Sequence, residues 1–211
     1  MTVSATAPDL ESHSAEEVLG HVVERFHPRL YVACSFQKEA SVIMDMLLRI
    51  EPKARFFTLD TGVLFPETYK TWRALEERYG IAVEVVDATS PDGRPWTGGE
   101  RCCGDRKVAA LQQVLAGADA WVTGLRREHS PERAATPKLR WDERNGLWKA
   151  SPLADWTEKD VWGYIAEHEV PYNELHDHGY DSIGCVPCTL PGSARDGRWA
   201  GTDQTECGIH T

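Results

Sequence analysis

Six cysteines are distributed unevenly along this chain: an adjacent pair, Cys102-Cys103; a CxxC, Cys185-Val186-Pro187-Cys188; and two singletons, Cys34 and Cys207. Disulfide frameworks belong mainly to small secreted domains, so six cysteines in 211 residues point instead to metal or redox chemistry. Two close thiol pairs about 80 residues apart suit a tetrahedral zinc ion or a four-iron cluster, both of which take four cysteine ligands. Neighbouring side chains on a helix point ~100° apart, awkward around one compact zinc ion and easier around the separate iron corners of a cluster. Spacing therefore favours iron–sulfur over zinc. Other readings stay open: small buried side chains or a vicinal disulfide at 102 and 103, and a thioredoxin-like redox pair at 185 and 188. Lys107, five residues past Cys102 on an expected helix, lies either near a negatively charged cluster or on a solvated face.

Cys207 sits in Glu206-Cys207-Gly208-Ile209-His210, at the end of the chain, where ordering is poor unless something ties the segment down. The expectation is a mobile, accessible thiol. Attack on sulfur requires thiolate, and His210 with nearby arginines could lower the thiol pKa; the bland alternative is an incidental exposed cysteine. Arg195 and Arg198 bring two guanidinium forks a few residues before Cys207. Such forks match phosphate or sulfate oxygens, although lone surface arginines are the default. His129, His168, His176 and His178 lack a matched partner pair for a metal and read as structural or exposed. The eight tryptophans read mostly as core, with Trp199 a candidate wall beside a ligand.

Elements must position these groups. Ala15 to His27 has helical periodicity, with Val18, Leu19, Val22, Val23 and Phe26 on one face. Arg29 to Cys34, Arg55 to Leu59, Ala82 to Val86 and Ala120 to Thr123 are short and apolar, as strands buried on both faces should be. Helical spacing over Glu39 to Arg49, Glu67 to Tyr79 and Arg106 to Leu115 completes an α-β-α-β-α-β-α-β order. That order predicts an α/β fold with a parallel twisted sheet flanked by helices, whose ligands bind at the carboxyl ends of the strands. Those ends are Cys34 to Lys38, Asp60-Thr61-Gly62 and Gly124 to Arg127. Lys138 to Trp141 and Leu147 to Ala150 read as a hairpin closed by a type I′ Asn145-Gly146 turn. Thr157 should cap a helix through about His168, with Asp160 supplying dipole-favourable charge rather than a true capping box. The expected organisation is a flexible N-terminus over 1–14, a nucleotide-binding α/β domain with the iron–sulfur site over 15–191, and a catalytic tail over 192–211.

The net charge of −10 argues against nucleic acid and anionic membranes as partners, because both require a basic surface. A phosphate-bearing small molecule stays compatible if positive charge is local, and Lys107, Arg126, Arg127, Arg133, Arg195 and Arg198 supply it. No run of about 18 apolar residues occurs, and the first residues, MTVSATAPDLESHS, lack the basic and apolar regions of an export signal. The expectation is a soluble cytoplasmic protein. Its oligomeric state stays open, a homo-oligomer included.

With these segments laid out, the chain from about Leu30 to His210 resembles the assimilatory adenosine 5′-phosphosulfate reductases. These are relatives of the 3′-phosphoadenosine 5′-phosphosulfate reductases within the adenine-nucleotide hydrolase-like superfamily. The resemblance rests on Ser35 to Ser41, Leu59-Asp60-Thr61-Gly62 with Phe65-Pro66-Glu67-Thr68-Tyr69, Cys102 to Lys107, Thr123 to Arg127, Gly184 to Cys188, and Glu206 to His210. It implies that Cys207 attacks the sulfate sulfur, releasing AMP and leaving an S-sulfocysteine, from which thioredoxin liberates sulfite. It also implies a [4Fe-4S] cluster on Cys102, Cys103, Cys185 and Cys188, the mark of the branch acting on the substrate without a 3′-phosphate. Lys107, Arg133, Arg195, Arg198 and His210 would contact the phosphosulfate. Ser35, Phe36, Gln37, Leu59, Asp60, Gly62 and Gly124 would hold the nucleotide. The Ser35 loop lacks the glycines of ATP-cleaving relatives, which weakens ATP hydrolysis as an activity. No thioredoxin-like segment follows Cys207, so the donor is expected to be a separate protein. The rivals are a reductase of the 3′-phosphorylated substrate and a zinc-stabilised nucleotide-binding module. Cys34 is assigned no catalytic part.

Overall fold

The computed structural model describes residues 8–89, 105–200 and 206–210. Eleven regular elements follow one another within them: α1 (Ala15–Phe26), β1 (Leu30–Ala33), α2 (Lys38–Ile50), β2 (Arg55–Asp60), α3 (Pro66–Tyr79), β3 (Glu84–Asp87), α4 (Asp105–Leu115), β4 (Ala120–Val122), β5 (Leu139–Asp142), β6 (Leu147–Ala150) and α5 (Glu158–His168). The strands form one sheet in the order β3-β2-β1-β4-β6-β5, parallel except for the β5–β6 pair. The α/β architecture expected from the alternating pattern is therefore present.

Strand alternation divides the core. Leu30, Val32, Ala120, Val122, Trp148 and Ala150 face α1, α2 and α5, where Val18, Leu19, Val22, Val42 and Leu47 are fully enclosed. Enclosing each such side chain contributes about 1.5–3 kcal/mol. Tyr31, Phe57, Leu59, Trp121 and Leu147 face the other way, against Ala110, Leu111, Val114 and Leu115 of α4 and against Ile209 of the tail.

Three local expectations are corrected. The β3 strand is not buried on both faces: it lies at a sheet edge among the described residues, and only Val86 of its four residues is buried. The β5–β6 connection is a four-residue loop between the paired Asp142 and Leu147, in which Asn145 N and Gly146 N both donate to Asp142 O. Only Gly146 has positive φ, at 66°, so the type I′ geometry, which needs two such residues, is not formed. At the start of α5 the Asp160 carboxylate accepts from Thr157 N at 2.8 Å while Thr157 Oγ1 accepts from Asp160 N at 3.2 Å. That is a reciprocal capping box with aspartate in the usual Glu/Gln position.

Candidate active site

The strand order reverses between β1 and β4, and in open α/β sheets ligands bind in the crevice at that point. A cavity of about 360 Å³ lies there. One half is built from the carboxyl ends of β1, β2 and β4, with Ala33, Cys34, Ser35, Gln37, Leu59, Thr123, Gly124 and Leu125 on its wall. The other half is basic and sulfur-bearing, formed by Lys107, Arg133, Arg195, Arg198, Cys207 and His210.

Three of the expected nucleotide-loop residues lie off this wall. Phe36 is 1% exposed, adopts φ 56° and stacks on Trp72 at 5.1 Å between centroids; its ring is a core wedge that sets the loop's path. Asp60 accepts from Gly62 N and from Tyr69 Oη, both at 2.8 Å, so these two residues shape the turn after β2. Gly124 does lie on the wall, where a Cβ would sit 2.8 Å from the Cβ of Glu39 and push α2 off the sheet.

Below the loop runs a buried polar network that sequence reasoning did not anticipate. Arg126, read as a local positive charge, is 2% exposed and committed to carboxylates. Its guanidinium donates to Glu39 at 3.0 Å, Glu128 at 2.7 Å and Glu158 at 2.6 Å. Burial works against ionisation of Glu39, but the hydrogen bond of His129, with the charges of Lys38 and Arg126, outweighs it and holds its carboxyl far below the usual range. His129 carries its proton on Nε2 toward Glu39, at 3.0 Å, since Nδ1 faces the Arg133 donor at 2.9 Å. Arg127 is likewise structural, pairing with Glu11 and donating to Thr136 O, and it is absent from the cavity wall. No pattern within the chain announces these pairs, because Arg126 lies 87 residues from Glu39.

Among the described residues of the tail, Cys207 is not the accessible thiol expected. Cys207 is 6% exposed, covered by Trp199, Cys188 and Ile209, and its thiol borders the cavity. Trp199 is itself buried off the wall, with the Arg195 and Arg198 guanidinia 5.1 and 4.4 Å from its ring. Glu206 clamps Arg133 through two hydrogen bonds of 2.6 and 2.7 Å, accepts from Arg195 at 3.0 Å and from the Cys207 amide at 2.8 Å. Burial opposes its charge, yet the hydrogen bonds and charge of Arg133, with the charge of Arg195, keep its carboxyl ionised. Burial and the charge of Arg133 push Arg195 down to about 10, so its fork stays cationic at neutral pH. Burial, reinforced by Lys149, Arg133, Arg195 and Lys107, pushes His210 well below the ordinary imidazole range. Cys34 also borders the cavity, which its place at a strand end could have signalled; burial pushes its thiol up, leaving it a poor nucleophile.

Cys185 and Cys188 flank a 3₁₀ turn, with Cys188 N donating to Cys185 O at 3.1 Å. The turn is docked beside the β2 end: Leu64 bridges Cys185, Val186 N donates to Val63 O, and the Cys185 thiol lies 3.1 Å from Thr61 Oγ1. Gly184, next to it, is on the cavity wall. Among the described residues no group of three or more His, Cys, Asp or Glu is arranged to hold a metal, and Cys102 and Cys103 lie outside those residues. The half that is described fits a thiolate-bound group: two soft donors on one turn, one of them buried 2% exposed, at the cavity margin.

Residues 29–191 match the family model described as the phosphoadenosine phosphosulfate reductase domain. The chain is 41% identical to an adenosine 5′-phosphosulfate reductase of Salinibacter ruber, over 99% of this chain and 88% of the relative. It is 43% identical to one of Bacillus pumilus, over 93% and 90%. The crystal structure of phosphoadenylyl-sulfate reductase from Candida auris, in its phosphate complex, superposes with a TM-score of 0.75 at 31% identity, covering 86% of this chain and 92% of that one. Strand order, cavity position and sequence agree, and the chain belongs to the phosphoadenosine phosphosulfate reductase family.

Proposed function

We propose that this protein is an adenosine 5′-phosphosulfate reductase of sulfate assimilation, an oxidoreductase acting on a sulfur group through Cys207. The observation that carries the mechanism is the meeting of Cys207 with Lys107, Arg133, Arg195, Arg198 and His210 on the lining of the cavity that the strand ends also form. The names of the relatives in Salinibacter ruber and Bacillus pumilus support the substrate without a 3′-phosphate.

The nucleotide lies along the strand ends, its phosphosulfate toward the basic wall. Cys207, as thiolate, attacks the sulfate sulfur in line with the departing phosphate oxygen. An S–S bond forms, the S–O bond breaks, and its electron pair leaves with AMP. Arg133, Arg195, Arg198 and Lys107 meet the charge that develops on that oxygen; fixed donors in such a position lower a barrier by several kcal/mol. Glu206, behind the forks, keeps Arg133 and Arg195 oriented. The product is Cys207–S–SO₃⁻. A thioredoxin dithiol supplies two electrons: one of its thiolates attacks Cys207 Sγ, sulfite leaves, and its second thiol frees Cys207. Because Cys207 is 6% exposed and lines the cavity, the sulfonated tail must swing out to meet that protein.

Cys185 and Cys188, with Cys102 and Cys103, would hold a [4Fe-4S] cluster. When bound there it would supply a local field at the site, while the electrons come from the dithiol.

Intact mass spectrometry of anaerobic, cluster-loaded protein incubated with adenosine 5′-phosphosulfate tests the mechanism. One sulfonate added at Cys207, absent in Cys207→Ser and slower to form with the 3′-phosphorylated substrate, is the expected result. Unmodified wild-type protein after complete mixing with substrate would overturn it.

A further inference from the structure

Trp121 of β4 and Lys149 of β6 are direct partners in the parallel ladder, so their side chains leave the same face of the sheet. Both are buried, at 0% and 2% exposure. Lys149 Nζ stands 4.6 Å from the Trp121 ring centroid, and the His210 ring stacks on the same indole at 6.2 Å and 15°. Lys149 Nζ reaches His210 Nδ1 at 3.5 Å, long for a hydrogen bond, as is common in sites that tighten around substrate. Lys149 itself is not on the cavity wall, whereas His210 is. The Trp121 indole is pinned in turn by Nε1–H donation to Asp142 at 3.1 Å.

We propose that Lys149 is a positioning residue for the sulfonyl-transfer step: as a donor with no acceptor capacity, it leaves Nδ1 of His210 as an acceptor and so places the imidazole proton on Nε2, turned toward the substrate anion. An ammonium has three N–H donors and no lone pair, and a neutral imidazole has one donor and one acceptor nitrogen. Facing Lys149, the tautomer with Nδ1 protonated would set donor against donor. The tail turn transmits the position, since His210 N donates to Cys207 O at 2.9 Å and joins ring and nucleophile in one turn. Lys149 is faced by Arg140 and Asp142 of β5, by Arg133 of the 3₁₀ turn Pro131–Arg133, and by Glu206 and His210 of the tail. Burial, then Arg140, pushes Lys149 down to about 8, so it remains an ammonium at neutral pH.

This inference rests on the reading that His210 faces the substrate, but its primary readout needs no turnover. Nitrogen-15 spectra of histidine-labelled holoprotein report which ring nitrogen of His210 carries the proton. The wild type should show Nε2–H alone; Lys149→Met should show a mixture and at least about tenfold slower Cys207 sulfonation. Lys149→Arg, another group with donors only, should restore the Nε2–H form and most of the rate. A wild-type His210 protonated on Nδ1 would overturn the proposal, as would a Lys149→Met variant with unchanged tautomer and rate. Should Lys149→Met fail to fold, the wild-type and Lys149→Arg spectra still decide. Failure of sulfonation with the Nε2–H tautomer present would instead count against the reading of Cys207.

Discussion

Arg198 reaches the cavity because residue 184 has no side chain. A Cβ on Gly184 would lie 2.4 Å from Arg198 Nη2 and 2.6 Å from its Cζ, so the guanidinium rests directly on the glycine while donating to Ser182 Oγ and Ile183 O at 3.3 Å each. The obstructing atoms belong to the far end of a flexible side chain, which can swing away without breaking backbone contacts. Gly184→Ala should therefore damage binding rather than folding. A charged hydrogen bond contributes about 1.5–3 kcal/mol, so the Kd for adenosine 5′-phosphosulfate, measured calorimetrically with Cys207→Ser as background, should rise roughly ten- to hundredfold. AMP affinity should change much less, and the melting temperature by no more than about 3 °C. A variant that loses stability and keeps its affinity would contradict this account of Gly184.

Among the elements, α2 illustrates what the sequence made legible and what it hid. Its span follows from helical spacing, and β1, β2, β4 and β6 follow from short apolar runs bounded by turns. Its first turn does not: Lys38 and Glu39 are charged yet buried, because their partners Asp181, Glu158, Arg126 and His129 arrive from distant loops and α5. Cys207 was misjudged for the same reason, since its cover, Trp199 and Cys188, is brought by folding and not by adjacency. His176, treated only as structural or exposed, fastens this helix end. Its Nε2 accepts from Lys38 N at 3.4 Å and its Nδ1–H donates to Tyr180 O at 2.7 Å, an arrangement open only to the neutral ring. Burial, then the charge of Lys38, pushes its pKa down to about 4 from 6.5. The unfolded chain thus binds a proton that the folded chain refuses, so this stability is complete above about pH 6.5 and is lost as pH falls toward 4. Urea unfolding should show stability falling with acid, and His176→Gln, which keeps an acceptor for Lys38 N, should reduce the slope between pH 4 and 6.5 by up to about 1.4 kcal/mol per pH unit. An unchanged slope would place the proton elsewhere.

At the scale of the whole molecule, the described C-terminal residues close the fold as well as carry the proposed nucleophile, Cys207. Ile209 joins the core under α4, His210 stacks on Trp121, Gly208 O accepts from Arg144 at 2.5 Å, and Glu206 neutralises Arg133 and Arg195. Deleting residues 206–211 would leave those two arginines facing each other without their shared carboxylate. Removing one partner from a buried ion pair costs about 3–5 kcal/mol in a dry interior, and access of water through the opened cavity reduces this to about half. At ~2–4 °C per kcal/mol for a chain of this size, the melting temperature should drop by roughly 3–10 °C. The division of the cavity then separates two ligands. On the proposed mechanism AMP contacts mainly the strand ends, so at 100 times its Kd it should stabilise full-length and truncated chains alike, by about 2.7 kcal/mol. On the proposed mechanism adenosine 5′-phosphosulfate also draws on Arg195 and His210; the deleted segment carries His210 and holds Arg195 in place through Glu206. Its additional stabilisation over AMP, read from thermal shifts in Cys207→Ser protein, should therefore shrink on truncation. If the truncated chain kept that excess, the phosphosulfate would have to lie on the strand ends, and the assignment of the two halves of the cavity would be reversed.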